Sequence, residues 1–220
     1  IARVMDNTGE SWEFVMVDDG SADGTADLIR EYAEKDKRVR PVIFARNFGQ
    51  QSAVKAGLDY TRGQAVVVID ADLQDPPEVI ADMIREFTKG FDIVYGVRIS
   101  RKKDSMFKRL TAQSYYKLMK LVGVDLVYNC ADFRLLSRRV VNELKKFTEV
   151  NLFLRGIFPL IGYSQCQVEY ERQKRSAGQT KYPLHKMIAF AIEGITSFSM
   201  FPLKLATIFG AVFCLISILM

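Results

Sequence analysis

V-V-I-D-A-D-L-Q-D-P-P, Val67 to Pro77, is the stretch on which the fold of this chain turns. Val66, Val67, Val68 and Ile69 form a β-branched apolar run, the composition of a strand covered on both faces. Asp70 and Asp72 leave that strand together. In extended backbone alternate side chains share a face, so the two carboxylates point the same way and Gln74 continues the row. Oxygen donors in such a row suit a hard divalent cation that also holds a diphosphate. The simpler alternative is an acidic turn capping a helix opened at Pro77.

Around this segment the chain alternates between two periodicities. Strands are predicted at Glu13 to Val17, Val39 to Phe44, Ala65 to Ile69 and Ile93 to Tyr95. Helices are predicted at Thr25 to Asp36, Gln51 to Tyr60 and Pro77 to Lys89, the last opened by a proline at an allowed position. Such alternation implies an α/β fold with a mostly parallel, Rossmann-like sheet, whose ligands bind at the carboxyl ends of the strands. V-D-D-G-S-A-D-G-T, Val17 to Thr25, lies at one such end. Gly20 and Gly24 permit a tight turn, and Ser21 or Asp23 can cap the next helix. Capping does not account for Asp18, whose carboxylate can accept hydrogen bonds from a base or a ribose.

With 220 residues and a hydrophobic fraction of 49%, the chain can bury one substantial core. The net charge of +5 agrees with anionic headgroups or phosphorylated substrates as partners. Cys130, Cys166 and Cys214 have neither metal-like spacing nor an even count, and read as buried thiols of a reducing compartment. His185 is the only histidine, and its place before an apolar tail argues against serine- or cysteine-histidine hydrolysis. Nucleic-acid binding is not expected: it would want basic residues interleaved with exposed aromatics and no membrane segment.

The carboxyl-terminal part reads as a membrane element. Leu205 to Met220 is a sixteen-residue run without a charge, short of the roughly 20 a spanning helix needs, and is expected to be a truncated transmembrane helix. Before it, apolar residues from Met187 to Phe201 flanked by Lys181, Lys186 and Lys204 suggest an interfacial helix with its basic side cytoplasmic. The expected organisation is a catalytic domain over 1–180, an amphipathic juxtamembrane segment over 181–203, and the start of a transmembrane helix over 204–220. The globular part would then face the cytosol at the cell membrane.

V-D-D-G-S-A-D-G-T, A-R-N-F-G-Q (Ala45 to Gln50), D-A-D-L-Q-D-P-P (Asp70 to Pro77) and Y-G-V-R (Tyr95 to Arg98) follow one another in this order. The ordered set resembles family 2 glycosyltransferases, and within them the polyprenyl-phosphate subfamily that includes bactoprenol glucosyltransferases and dolichol-phosphate mannose synthases. The resemblance implies a GT-A fold, a nucleotide-diphosphate sugar donor, Mg2+ or Mn2+, and inversion at the anomeric carbon. It favours UDP-glucose as donor, with GDP-mannose as the alternative, and a polyprenyl phosphate lipid as acceptor. It also allows a homo-oligomer assembled through membrane helices. One departure is that the family's opening strand, with its P-x-Y-N-E turn, does not precede Ile1; the chain reads as a fragment or as a fold with an incomplete nucleotide pocket.

The resemblance carries over residue by residue. Asp18, Asp19, Arg46, Asn47, Gly49, Asp70, Ala71, Arg175 and Lys181 are expected to bind the nucleotide sugar. Asp70, Asp72 and Gln74 are expected to hold the metal, with Asp72 and Gln74 nearest it. Bringing two anions together requires cations, and Arg98, Arg134, Ser137 and Arg138 are the candidates for the acceptor phosphate. If Leu135 and Leu136 lie inward, Arg134 and Arg138 share a helical face. Asp72, Asp132 and Arg134 are the expected catalytic residues; Asp132 either orients an arginine or acts as a base. Arg172 to Tyr182 resembles a glycine-centred basic loop able to close over a diphosphate, or else is a polybasic anchor. Basic residues from Arg98 to Arg109 are a further site of lipid-phosphate contact or a solvated face.

Three rivals differ in chemistry. A processive polysaccharide synthase normally carries Q-x-x-R-W, which cannot exist where Trp12 is the only tryptophan. A dinucleotide oxidoreductase would need G-x-G-x-x-G after a strand, and none is present. A degenerate membrane-bound sugar-nucleotide module without catalysis stays open at this stage.

Overall fold

The protein was analysed as a computed structural model, which describes residues 1–99, 130–148, 154–171 and 201–219. Helix α1 (Ala2–Thr8) ends at Gly9, whose φ of 74° gives a left-handed cap that a Cβ would disfavour. Strand β1 (Phe14–Asp18) pairs in parallel with β2 (Val39–Ile43), from Phe14 opposite Val39 to Asp18 opposite Ile43. Helix α2 (Thr25–Lys35) makes the crossover and buries Ile29. Helix α3 (Gln50–Tyr60) then lies against β1, where Gly57 leaves room for Val17.

The second sheet is where expectation and structure part. Its strands are β3 (Ala65–Val68), β4 (Ile93–Arg98), β5 (Cys130–Ser137) and β6 (Gln165–Tyr170), in the order β3-β5-β4-β6. Strand β5 runs antiparallel to both β3 and β4, while β4 and β6 are parallel. The mostly parallel sheet is thus corrected to a mixed one, and a β-bulge between Tyr95 and Val97 interrupts the β4–β5 register.

The helical face expected for Arg134 and Arg138 is also corrected, because residues through Ser137 are strand. Phe133 and Leu135 point to one face of β5, packing with Val94 and with Val79, Ile80 and Met83 of helix α4 (Val79–Thr88). Leu136 points to the other face, with Leu58, Val66, Ile93 and the helices α5 (Arg138–Leu144) and α6 (Leu154–Leu160). A strand covered on both faces loses its apolar alternation. Phe133, Leu135 and Leu136 are fully buried; truncating one of these leucines to alanine costs about 3 kcal/mol in a site this closed. Ser137 ends the strand by capping α5, its side chain accepting from Val140 N–H.

The helix expected from Pro77 begins at Val79, since Pro76 and Pro77 form the turn whose carbonyls accept from the Val79 and Ile80 N–H groups. Helix α7 (Phe201–Leu219) starts three residues before the expected 204 boundary, with Pro202 in its first turn. Among the described residues no helix is long and apolar enough to cross a membrane.

Candidate active site

Sheet topology gathers the motif residues at one end. Asp18 ends β1, Asp70 follows β3 and Arg98 ends β4, all at the carboxyl ends of their strands. Strand β5 runs the other way, so its amino-terminal half reaches this same end. The β3–β5 register sets Val68 opposite Arg134, and continued by two residues it places Asp70 across from Asp132. Gln50, at the start of α3, closes that gap. Its Nε2 donates to Asp70 Oδ1 and to Asp132 Oδ2, each at 3.2 Å.

The two carboxylates differ in their surroundings. Burial pushes the Asp70 carboxyl above the ordinary aspartate range, and the charges of Asp132, Asp72 and Asp75 push the same way against the single Gln50 hydrogen bond. Burial would raise Asp132 too, but Arg155 grips it from α6 with Nε and Nη2 at 2.9 and 2.8 Å, and its pKa is held below the ordinary range. Arg134 Nη2 adds a third contact at 3.1 Å. Its guanidinium is buried, 4.6 Å over the Phe158 ring and 5.8 Å from that of Tyr95. A carboxylate so held anchors both guanidinium groups, the geometry of a residue that orients arginines.

The D-A-D-L-Q-D loop is fixed from below. Asp75 is buried, accepting from Tyr170 Oη at 2.5 Å and from Arg98 Nη2 at 3.4 Å, and Arg98 Nε also reaches Tyr170 Oη at 3.3 Å. Asp72 Oδ1 accepts from the Gln74 N–H at 3.1 Å, and between them Leu73 stands at φ 57° with its side chain exposed. A leucine in the left-handed region costs about 1–2 kcal/mol. Ala71 is exposed beside them.

The first acidic turn holds the second motif in place. Asp18 is buried and accepts from the Ser21 N–H, while Asp19 accepts from the Phe48 and Gly49 N–H groups at 2.7 and 2.9 Å. Gly20 is obligatory: a Cβ there would lie 2.4 Å from the Arg46 carbonyl carbon. Asp23, expected as a possible helix cap, accepts from Thr25 instead, and Gly24 is the capping residue. Arg46 lies over the exposed Phe48 ring at 4.2 Å and Asn47 is exposed, so both face outward beside the turn.

Some expected residues are not brought here. Ser137 pairs with Ala65, three strand positions or roughly 10 Å from the Arg134–Val68 pair, and hydrogen-bonds Asp92 Oδ1 at 2.8 Å. Arg138 donates to the Gly63 carbonyl and to Thr61 Oγ1 at the same remote end. Both lie at the far end of β5 from Asp70 and Asp132, Ser137 as its last residue and Arg138 as the first of α5. Arg175, Lys181, His185 and the basic residues 101–109 lie outside the described residues. Missed from the sequence were Gln50 as a bridge, Arg155, and the Asp75–Tyr170 pair. Gln50 and Asp75 stood inside recognised motifs; Arg155 and Tyr170 did not.

Among the described residues no group of three or more histidine, cysteine, aspartate and glutamate side chains is placed to hold a metal alone. The donor set nevertheless fits a cation that takes one or two carboxylates and completes its shell with phosphate oxygens, the habit of Mg2+ at nucleotide sites. A cation bound at the charge-crowded Asp70 would relieve that repulsion.

Residues 1–145 match the model of glycosyl transferase family 2. The chain is 46% identical over 211 residues to the uncharacterized glycosyltransferase YkcC of Bacillus subtilis (strain 168), covering 96% of this chain and 65% of that one. It is 44% identical over 208 residues to the bactoprenol glucosyl transferase of Shigella phage SfX, covering 94% of this chain and 68% of the relative. In structure it resembles glucosyl-3-phosphoglycerate synthase from Mycobacterium tuberculosis in complex with Mn2+, uridine-diphosphate and phosphoglyceric acid, at a TM-score of 0.53 and 20% identity over 83% of this chain and 65% of that one. The chain thus spans just under two thirds of YkcC, and the solved structure speaks for the fold alone. With a GT-A-like α/β fold built on mixed sheets and a family match across most of its length, the chain belongs to glycosyl transferase family 2.

Proposed function

We propose that this chain carries an inverting, metal-dependent glycosyltransferase that moves glucose from UDP-glucose to a polyprenyl phosphate at the cytoplasmic face of the cell membrane. One observation carries the reading: Asp70 and Asp72 stand beside Asp132, Arg134 and Arg155 at the strand ends, so an acidic site and a cationic one adjoin. The similarity to bactoprenol glucosyl transferases supports the lipid acceptor and the sugar.

In the proposed reaction an acceptor phosphate oxygen forms a bond to the anomeric carbon on one face while the bond to the nucleoside diphosphate breaks on the other. No general base is required, because a phosphate monoester is already ionised near neutral pH. Asp70 and Asp72, with Gln74, would hold the cation, which when bound neutralises charge on the departing diphosphate. Asp18 and the exposed Arg46 and Asn47 are assigned to the nucleotide. Asp132 fixes Arg134 and Arg155, so that the acceptor anion meets cations already in place. Arg98 is tied to Asp75 and holds the carboxylate loop. Arg175 and Lys181 are assigned to the diphosphate on motif alone.

The exposed apolar side chains of α7, among them Phe213, Ile218 and Leu219, support a lipid surface as partner. The test is to incubate the protein with polyprenyl phosphate, Mn2+ and a panel of nucleotide sugars and to identify the lipid product. Polyprenyl-phosphoglucose formed from UDP-glucose is expected. Sugar-nucleotide binding with no lipid product from any donor would favour a non-catalytic module.

A further inference from the structure

We infer that Gln50 is a positioning residue that locks the acidic and cationic halves of the site together, an inference resting on the proposed cation and nucleotide site. Asp70 and Asp132 approach from different strands, and like charges brought this close repel unless a donor stands between them. Gln50 supplies that donor, with Nε2 3.2 Å from an oxygen of each. A primary amide has two N–H bonds, one for each carboxylate. The opposite orientation would set the amide carbonyl against two carboxylates, so chemistry fixes which end points inward.

The backbone places Gln50 for this task. It is the first residue of α3, and Gly49 before it has φ 95° and ψ 157°, a conformation that turns the chain sharply into the helix. The N–H of Gly49 is held by Asp19 in the turn assigned to the nucleotide. One hydrogen-bonded path therefore runs from Asp19 through Gly49 to Gln50, and from there to Asp70 and Asp132. The next residue makes a parallel link: Gln51 Oε1 accepts from the Leu154 N–H at 3.2 Å, at the start of the helix that carries Arg155. The amino terminus of α3 thus spans all three parts of the site. Its capping residue, Gly49, has no side chain to offer the first N–H groups. Gln50, the first residue of the helix, directs its amide to the carboxylates.

Three variants test this. Gln50→Met keeps the length and removes both donors, Gln50→Glu keeps the shape and adds a carboxylate between two others, and Gln50→Asn keeps the amide but is one methylene short. For Gln50→Met, kcat is expected to fall by tenfold or more, as misplacement of reacting groups by about 1 Å does, and the half-saturating Mn2+ concentration to rise several-fold. Melting temperature without ligand should stay within a few degrees of the parent, because the residue is exposed. The second readout needs no turnover: the rise in melting temperature produced by UDP with Mn2+ should shrink in all three variants, most in Gln50→Glu. A Gln50→Met protein whose kcat, Mn2+ requirement and UDP–Mn2+ melting shift all lie within twofold of wild type would overturn the inference. A wild type that neither shifts with UDP and Mn2+ nor transfers sugar would instead remove the underlying site, and this inference with it.

Discussion

The two ends of the four-stranded sheet each hold an aspartate, buried at Asp92 and half-buried at Asp70, and they treat it in opposite ways. At the remote end, Asp92 receives Ser137 Oγ, Ser164 Oγ and both donor nitrogens of Arg139, and its backbone N–H meets Ser164. Burial opposes its charge, but these donors win and its pKa lies below the ordinary aspartate range. At the motif end, Asp70 has one amide donor and three neighbouring carboxylates, and its pKa lies above that range. A satisfied buried charge contributes to stability; a crowded one is held in readiness for a ligand of opposite sign.

The comparison can be broken by neutralising one carboxylate at each end. Asp70→Asn should cut glycosyl transfer a hundredfold or more, by loss of electrostatic stabilisation at the leaving group, while leaving the melting temperature unchanged or raised. Asp92→Asn should do the reverse: a loss of about 2 kcal/mol in unfolding free energy, measured by urea titration, with UDP–Mn2+ binding unaltered. A drop in stability at Asp70, or in nucleotide binding at Asp92, would dissolve the distinction.

Acid sharpens it further. The folded-state pKa of Asp92 is depressed, so the unfolded chain binds more protons as pH falls below about 5, and the stabilisation by Asp92 is lost through that window. Urea midpoints between pH 5 and pH 3 should therefore fall less steeply for Asp92→Asn than for wild type. The smallest effect is expected at Arg138, a sequence candidate for the acceptor phosphate that holds Gly63 and Thr61 instead. Arg138→Ala should cost less than about 1 kcal/mol and leave the KM for polyprenyl phosphate unchanged.

What could be read from the sequence follows from how each element is buried. Strands β1, β2 and β3 announce themselves as apolar runs between turn residues, and β4 is recognisable from Ile93 to Tyr95 although it continues to Arg98. Strand β5 does not, because Phe133 and Leu135 face one core and Leu136 the other, while the buried Arg134 breaks the run. Without β5 the sheet looks parallel, and Ser137 and Arg138 look near the motif end when the antiparallel register carries them away. Strand β6 had a legible alternation in Cys166, Val168 and Tyr170, all turned toward one core. Asp70, Asp72, Asp18 and Asp19 were legible because carboxylates directly after apolar strands have few structural reasons to be there. Arg155 carried no signal; only the fold brings α6 back to Asp132.

The most direct test of the central claim compares wild type with Asp72→Asn in Mn2+-dependent transfer of radiolabelled glucose from UDP-glucose to polyprenyl phosphate. The carboxylate loop is predicted to be indispensable: wild type labels the lipid, EDTA abolishes the label, and Asp72→Asn falls a hundredfold or more with an unchanged melting temperature. Equal labelling by the two proteins would contradict it.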